Sequence, residues 1–192
     1  MNTKSWRVSG APATEPITIA ELKLFARIDT TAEDTFLTGL IKACRETCEL
    51  YLGRALITQS ITFVMDMWEG NRMDLPSPPL LSVTGIYTTD EDGTDTTYSS
   101  DNYYVIPESI PGQIALKQGK IPPSNIDRDV AGYKIIYVAG YGAASAVPQA
   151  LKEALKMWCT VSYEERAVTP EPPPEAKMLL DLFRILPISN RI

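Results

Sequence analysis

The sequence contains no histidine, and this absence removes several classes of function at once. Histidine is the commonest general base, a frequent metal ligand and the side chain that titrates near physiological pH. Serine and threonine are plentiful, but no Ser-x-x-Lys motif supplies a base that would activate a nucleophile. We therefore predict that the chain is not an enzyme and has no catalytic residue, cofactor or metal.

Cysteine is scarce, and the three that occur do not form an obvious site. Three cysteines cannot all pair within one chain, which fits a reducing compartment. Cys44 and Cys48 are one helical turn apart and could share a metal ion, but only Cys159 remains as a further soft ligand. Burial in the core is the favoured interpretation, because free cysteine is among the most buried residue types.

Long apolar segments are also missing. Residues 1–10 lack the apolar centre of a signal peptide, and the charge-free stretch 135–151 is interrupted by glycine and proline. That stretch is too short to cross a bilayer. We expect no membrane segment.

The charge balance is acidic, with 18 Lys+Arg against 24 Asp+Glu and a net charge of -6. Proteins that hold DNA by their own affinity need a surplus of cationic side chains on some face. The acidic balance therefore argues against tight DNA binding. Hydrophobic residues make up 44% of the chain, which is enough for a buried core.

Helical patterns occur at both ends of the chain. The spacing of Thr18 and Glu21 predicts a capping box and a short helix to about Arg27. Apolar residues at three- and four-residue steps predict a long helix over 31–52, ended by Gly53. The same periodicity predicts a third helix over 148–166.

The middle of the chain changes to alternating, β-favouring residues. Predicted strands lie near 57–65, 82–89, 96–99, 103–106, 113–117 and 133–139, and residues 71–75 could pair back on the first of them. A turn at 90–93 separates two of the strands. This pattern predicts a small, mostly antiparallel β subdomain.

The sequence therefore predicts an α+β fold, a helical bundle with an inserted β subdomain. Its helical core comprises 1–54 and 147–166, and the inserted β subdomain comprises 55–146. Residues 167–192 form the remaining part. There, the proline-rich run 169–174 predicts a stiff, extended spacer, and an amphipathic pattern predicts a short helix over 176–186.

Two motifs could carry chemistry but have a simpler interpretation. Asp90, Asp92 and Asp95 resemble a calcium loop, yet the twelve-residue register with a closing Glu is missing, so a solvated hairpin tip is favoured. Gly140-Tyr141-Gly142 lies between a strand and a helix, where phosphate-binding loops occur, but its spacing fits no nucleotide motif. A glycine turn is the favoured interpretation.

Tyrosines are concentrated in the predicted β subdomain. Their rings could stack on nucleic-acid bases, but only beside a cationic groove, and the neighbouring charges are mostly acidic. Sheet packing and subunit contacts explain them better, because a phenol ring buries area and keeps a polar tip. The candidate subunit contacts are Tyr103, Tyr104, Tyr137 and Tyr141.

The order of short motifs along the chain resembles the head-to-tail connector, or adaptor, family of tailed bacteriophages and gene transfer agents. The resemblance covers about 18–166 and includes ELYLGR at 49–54 and AGYG at 139–142. Each motif alone is weak, and the combination is specific. The other matching segments are 22–29, 33–34, 75–76, 78–80, 82–83, 92–93, 104–105, 112–116 and 147–148.

The resemblance implies a structural protein of the virion neck that forms a ring, expected to be a dodecamer. It also implies a location in the host cytoplasm during assembly. Its partners would be the portal protein and the stopper or a tail-completion protein, and double-stranded DNA would pass through its channel. The alternatives are a DNA-packaging accessory protein that contacts DNA directly and a stopper or tail-completion protein.

The tail after residue 167 lies outside the resemblance. We predict that its apolar and basic residues dock on the portal; the alternative is that the last helix covers its own bundle. The candidate docking residues are Leu179, Phe183, Arg184, Leu186, Ile188 and Arg191.

Overall fold

A computed structural model of the chain describes residues 2–124 and 128–185. The chain divides into two compact units. The first, called here the β unit, comprises Met1–Pro12 and Thr58–Gly140. The second, called the helical unit, comprises Ala13–Ile57 and Tyr141–Ile192. The predicted docking residues Leu186, Ile188 and Arg191 lie outside the described residues.

The described part of the β unit has eight strands, and every paired neighbour is antiparallel. Five of them form one sheet in the order β1-β2-β8-β4-β5, and three form a second sheet in the order β3-β7-β6. The strands are β1 (Lys4–Gly10), β2 (Gln59–Met65), β3 (Arg72–Asp74), β4 (Leu80–Thr89), β5 (Asp95–Tyr98), β6 (Tyr103–Ile106), β7 (Gln113–Leu116) and β8 (Tyr133–Ala139).

Two features of this unit differ from the prediction. Strand β3, expected to pair with β2, pairs instead with β7, where the buried Met73 faces the buried Ile114. Strand β1 was not predicted. Its sequence, KSWRVSG, has only Trp6 and Val8 as large apolar residues, and nearly all of the strand is exposed, so alternation is weak there.

The helical unit contains the four helices of the described chain, α1 (Ile19–Ala26), α2 (Asp34–Leu52), α3 (Gln149–Glu165) and α4 (Pro174–Leu180). The capping box of α1 is confirmed, because the Glu21 amide donates to Thr18 Oγ1 at 3.1 Å and the Thr18 amide donates to Glu21 Oε2 at 2.6 Å. Helix α2 begins at Asp34, not at Thr31, and Glu33 at its N-cap makes no side-chain capping bond.

Apolar side chains of all four helices form one core in the helical unit. Trp158 is its largest member and has no exposed surface. The three cysteines are buried and free, which agrees with the core interpretation. Fully buried helix residues at this centre are Leu22, Leu37, Cys44, Cys48, Leu52, Leu151, Ala154, Leu155, Trp158, Cys159, Ala176 and Leu180.

The last described helix differs from its prediction in both bounds. Pro174, expected in the spacer, is the first residue of α4, a position that suits proline because its missing N–H has no helical partner. The helix ends at Leu180, and the turn that follows includes Phe183, whose amide donates to the Leu180 carbonyl at 2.9 Å. Pro172 in the spacer is buried.

The α+β class is confirmed, with four helices and two antiparallel sheets in the described residues. None of the helices in that part of the chain is both long and apolar enough to cross a membrane.

Candidate interaction surfaces

The C-terminal end of α2 is held by a buried arginine that sequence analysis did not single out. Arg45 is only 2% exposed. Its Nε donates to Glu15 Oε2 and its Nη1 to Glu49 Oε2, both at 2.7 Å, and its Nη2 reaches Glu46 Oε1 at 3.3 Å. Burial acts to lower the pKa of Arg45, but Glu49 and Glu15 outweigh it and raise that pKa above its ordinary value. The guanidinium is therefore a permanent charge.

The same cluster fixes the chain that follows α2. Glu49 accepts from the Leu56 amide through Oε1 at 2.7 Å while its other oxygen binds Arg45. Gly53 ends the helix in the left-handed region with φ 64. This places the backbone of Leu52 against the end of the described chain, where the Ile185 amide donates to the Leu52 carbonyl at 2.9 Å.

Helix α4 and the residues after it are attached to this end of α2. Ala176 and Leu180 lie in the core, and Leu179 and Phe183 are partly buried against it. Arg54 donates through Nε to the Phe183 carbonyl at 2.5 Å. Leu179 and Phe183, two predicted docking residues, therefore contact their own protomer.

Side chains on the α2 end strengthen that attachment. The Arg184 guanidinium lies 4.3 Å from the centre of the Tyr51 ring, and the Tyr51 hydroxyl donates to Asp181 Oδ1 at 2.5 Å. Desolvation and the Asp181 carboxylate raise the pKa of Tyr51. Arg184, a third predicted docking residue, contacts its own protomer through Tyr51 but is still exposed to solvent.

The outer face of this C-terminal segment exposes two large apolar side chains. Met178 and Leu182, one turn apart in sequence, are 75% and 77% exposed, whereas the inward-facing Leu180 is fully buried. Sequence periodicity identified the inward residues and missed the outward pair. A segment that buries some of its apolar side chains and exposes others is a candidate for docking on a partner.

The four tyrosines predicted as subunit contacts have different environments. Tyr137 has no exposed surface, and its hydroxyl donates to the Pro76 carbonyl at 2.6 Å, so it belongs to the core of the β unit and is not available for a subunit contact. Tyr103 is 8% exposed. Tyr141 packs partly buried against the helical core, and only Tyr104, at 58% exposure, presents most of its ring to a partner.

An aromatic cluster explains the burial of Tyr103. Its ring stacks on Tyr98 with centroids 6.2 Å apart and an interplanar angle of 14°. Trp68 lies 6.4 Å from Tyr98 and 6.3 Å from Tyr133. These rings join the two sheets of the β unit, which is the sheet-packing role expected for part of the tyrosine set.

The acidic tip between β4 and β5 is a hairpin turn. Asp90 Oδ1 accepts from the Thr94 amide at 2.7 Å, and the Gly93 amide donates to the Asp90 carbonyl at 3.1 Å. The Asp95 carboxylate accepts from Thr89 Oγ1 and from Lys134 Nζ. Across residues 2–124 and 128–185, no group of three His, Cys, Asp or Glu side chains could hold a metal ion.

The helical unit also has an open groove of about 600 Å³ beside the start of α1. Its lining is mostly small or aliphatic and includes Ile17, Ile19, Ile41 and Ala144. Its one carboxylate, Glu15, is already bound to Arg45. This groove therefore offers a contact surface and no arrangement suited to catalysis.

Comparison with known proteins identifies the fold. A family model described as head completion protein matches residues 15–170. No curated protein gives a significant match.

Three solved structures of gene transfer agent (GTA) particles contain chains with this fold. The neck of an empty GTA particle computed with C6 symmetry gives a TM-score of 0.82 at 22% identity, covering 98% of this chain and 100% of that one. The virion of the native GTA particle gives 0.78 at 22% identity, covering 95% and 96%. The neck of the native GTA particle computed with C12 symmetry gives 0.75 at 21% identity, covering 98% and 100%. Because the family model spans well over half of the sequence, this chain belongs to the head completion protein family.

Proposed function

We propose that the chain is a structural subunit of the neck of a tailed phage or gene transfer agent particle, placed between the portal and the stopper or tail. The observation that carries this proposal is the family match over 15–170 together with a fold shared, along nearly the whole chain, with chains of particle necks. Head completion is a structural task, so the proposal includes no enzyme activity.

The proposed assembly is a ring of twelve copies. Two of the structures that share the fold are necks computed with C12 and C6 symmetry, and a dodecamer is compatible with both. A ring also suits a chain of this size, because repeated head-to-tail contacts between identical subunits close around an axis.

The net charge of -6 suits a channel for DNA. An acidic wall repels phosphate, so DNA can pass through the ring without being held. A DNA-packaging accessory protein would need the opposite balance on some face. Filter binding at low salt separates the two: retention of DNA with a steep salt dependence would support the accessory role and contradict the channel.

We further propose that the C-terminal segment contacts the portal through its outer face. Leu179 and Phe183 are occupied within the protomer, which leaves Met178, Leu182 and the exposed side of Arg184 for a partner. Residues 186–192 continue the chain from this point and keep their predicted docking role as part of the proposal.

Deletion of the gene, with complementation, tests the proposed function. We expect the deletion to yield heads that package DNA but carry no tail, and the wild-type gene to restore tailed particles. Tailed, infectious or transducing particles from the deletion strain would contradict the proposal. The family description fits an adaptor and a stopper alike, and the position of the ring relative to the portal separates them.

A further inference from the structure

The five-stranded sheet of the β unit has two open edges. Within the described residues, β1 pairs only with β2, and β5 pairs only with β4. An open edge presents unpaired N–H and C=O groups that readily bind another strand. Trp6 and Val8 on β1 are 43% and 44% exposed, so this edge also carries uncovered apolar surface.

A continuous row of side chains connects the two edges. Trp6 pairs with Phe63, Phe63 with Ile135, Ile135 with Ile86, and Ile86 with Tyr98. Residues paired across strands project on the same face of a sheet. The three central residues of the row are buried, so this face is a core face that ends in an aromatic ring at each edge.

A second row of paired residues also crosses the whole sheet from β1 to β5, on the opposite face. It begins at Ser5, passes through Val64, Lys134 and Tyr87, and ends at Thr97. Both end residues are exposed. Ser5 and Trp6 are adjacent on β1, and the rows that start from them end at the adjacent residues Thr97 and Tyr98 of β5. The two edge strands therefore lie at the same position along the strand direction.

The directions of the strands decide which copy could join these edges. Five strands that are antiparallel in succession leave β1 and β5 running the same way. A copy placed head to tail would bring its β1 alongside β5 as a parallel pair, and mixed sheets of this kind are common. A two-fold pairing of β1 with β1 would close a dimer and leave both β5 edges open.

The charges beside the two edges are of opposite sign. Arg7 on β1 and Asp101, just after β5, are exposed, and neither side chain has an ion pair within the described residues. Arg7 follows Trp6 by one residue, and Asp101 follows Tyr98 by three, in the 3-10 turn Ser100–Asn102. Because the two strands run in the same direction, a head-to-tail neighbour would place these opposite charges beyond the same end of the joined strands.

We propose that β1 of one copy adds to β5 of the next, so that the sheet continues from subunit to subunit around the ring. The occupant of each open edge is a second copy of this chain, in the register that places Ser5 beside the neighbour's Thr97. This inference rests on the proposed ring and specifies the surface that closes it. Main-chain bonds would supply the contact, and the aromatic ends and the opposite charges near them would favour this register.

Cross-linking in assembled particles tests the register. The double variant Ser5→Cys/Thr97→Cys, made in the full chain, changes two small exposed residues, and the native cysteines have no exposed surface. Mild oxidation is expected to give a ladder of covalent multimers on a denaturing gel. Each single variant and the control pair Ser5→Cys/Thr35→Cys, whose second position is exposed on α2, are expected to remain monomers.

The outcomes separate this inference from the function on which it rests. Particles that contain the chain in the neck but give no ladder would overturn the strand addition and leave the neck role intact. A covalent dimer of the Ser5→Cys single variant would instead indicate a two-fold pairing of β1 with β1 and would overturn the strand addition. Absence of the chain from the neck would overturn both proposals.

Charge reversal provides a measurement that needs no cross-link. Arg7→Glu and Asp101→Lys are each expected to weaken ring assembly several-fold, and the double reversal is expected to restore it. Lys42→Glu, at an exposed position of α2, is the control for charge alone. Equal assembly of all these variants, each folded by circular dichroism, would count against the strand addition.

Discussion

Arg45 and Glu49 lie one turn apart on α2 and are joined by a 2.7 Å bond between Nη1 and Oε2, although Arg45 is almost entirely buried. The pair is shared, because Glu49 also accepts from the Leu56 amide and Arg45 also binds Glu15. A single buried guanidinium therefore connects the start of the helical unit, the long helix and the chain that leaves it.

Replacing Arg45 by Met is expected to destabilise the protein by about 3 kcal/mol, because Glu15 and Glu49 would keep their charges in a site with little water. Urea unfolding followed by circular dichroism measures the loss. The control is Glu46→Gln, since Glu46 is an exposed partner of the same arginine and its loss is expected to change stability by less than about 1 kcal/mol. Equal losses in the free energy of unfolding for the two variants would contradict a stabilising role of the buried Arg45 network.

Leu180→Ala is expected to lower the free energy of unfolding by about 2–4 kcal/mol, because Leu180 is fully buried and its truncation leaves a cavity. Leu182→Ala, two residues later and 77% exposed, is the matched control and is expected to have little effect. Thermal unfolding of the two variants compares them. If both leave stability unchanged, α4 is not part of the core.

The outer face of the C-terminal segment, formed by Met178 on α4 and Leu182 just after it, is expected to be needed for portal attachment. Met178→Asp/Leu182→Asp should abolish co-purification with the portal protein and leave the melting temperature near that of the wild type, because both side chains are largely exposed. Leu24→Asp, which is 84% exposed on α1, is the control for an added surface charge. Retained portal binding by the Met178→Asp/Leu182→Asp variant would contradict this docking face. These point variants are preferable to truncation after Arg166, which would also remove Ala176 and Leu180 from the core.

Asp66 is expected to make the β unit sensitive to acid. Its carboxylate accepts from the Ala131 amide at 2.8 Å and the Thr3 amide at 2.9 Å, and these bonds hold its pKa below the ordinary value of 3.8. The stabilisation is complete above that ordinary value and is lost as the pH falls through the lowered pKa. Asp66→Asn should therefore be less stable than the wild type at pH 7, with the gap narrowing toward pH 2. A gap that does not change with pH would show that the charge is not responsible.

Local patterns in the sequence predicted the elements that local interactions determine. The capping box at Thr18 and the glycine stop at Gly53 depend on residues a few positions apart, and both occur in the structure. The burial of Cys44 and Cys48 follows from helical periodicity in the same way.

Features that depend on distant partners were missed. The burial of Arg45 requires Glu15, thirty residues earlier, and a charged residue on a helix is otherwise expected to face solvent. The exposed strand β1 is defined by its register with β2, from Lys4 with Met65 to Gly10 with Ser60, and its own sequence has too little alternation to reveal it. Likewise, periodicity placed Leu180 in an apolar stripe but could not show that the stripe covers its own protomer.

The most direct test of the proposed neck role is a reconstruction of the neck in purified particles from the strain that encodes this chain, with the density of each ring assigned to its protein. We expect twelve copies of this chain in one closed ring directly beneath the portal, around the channel that holds DNA. Intact, tailed particles in which no neck density fits this fold would contradict it.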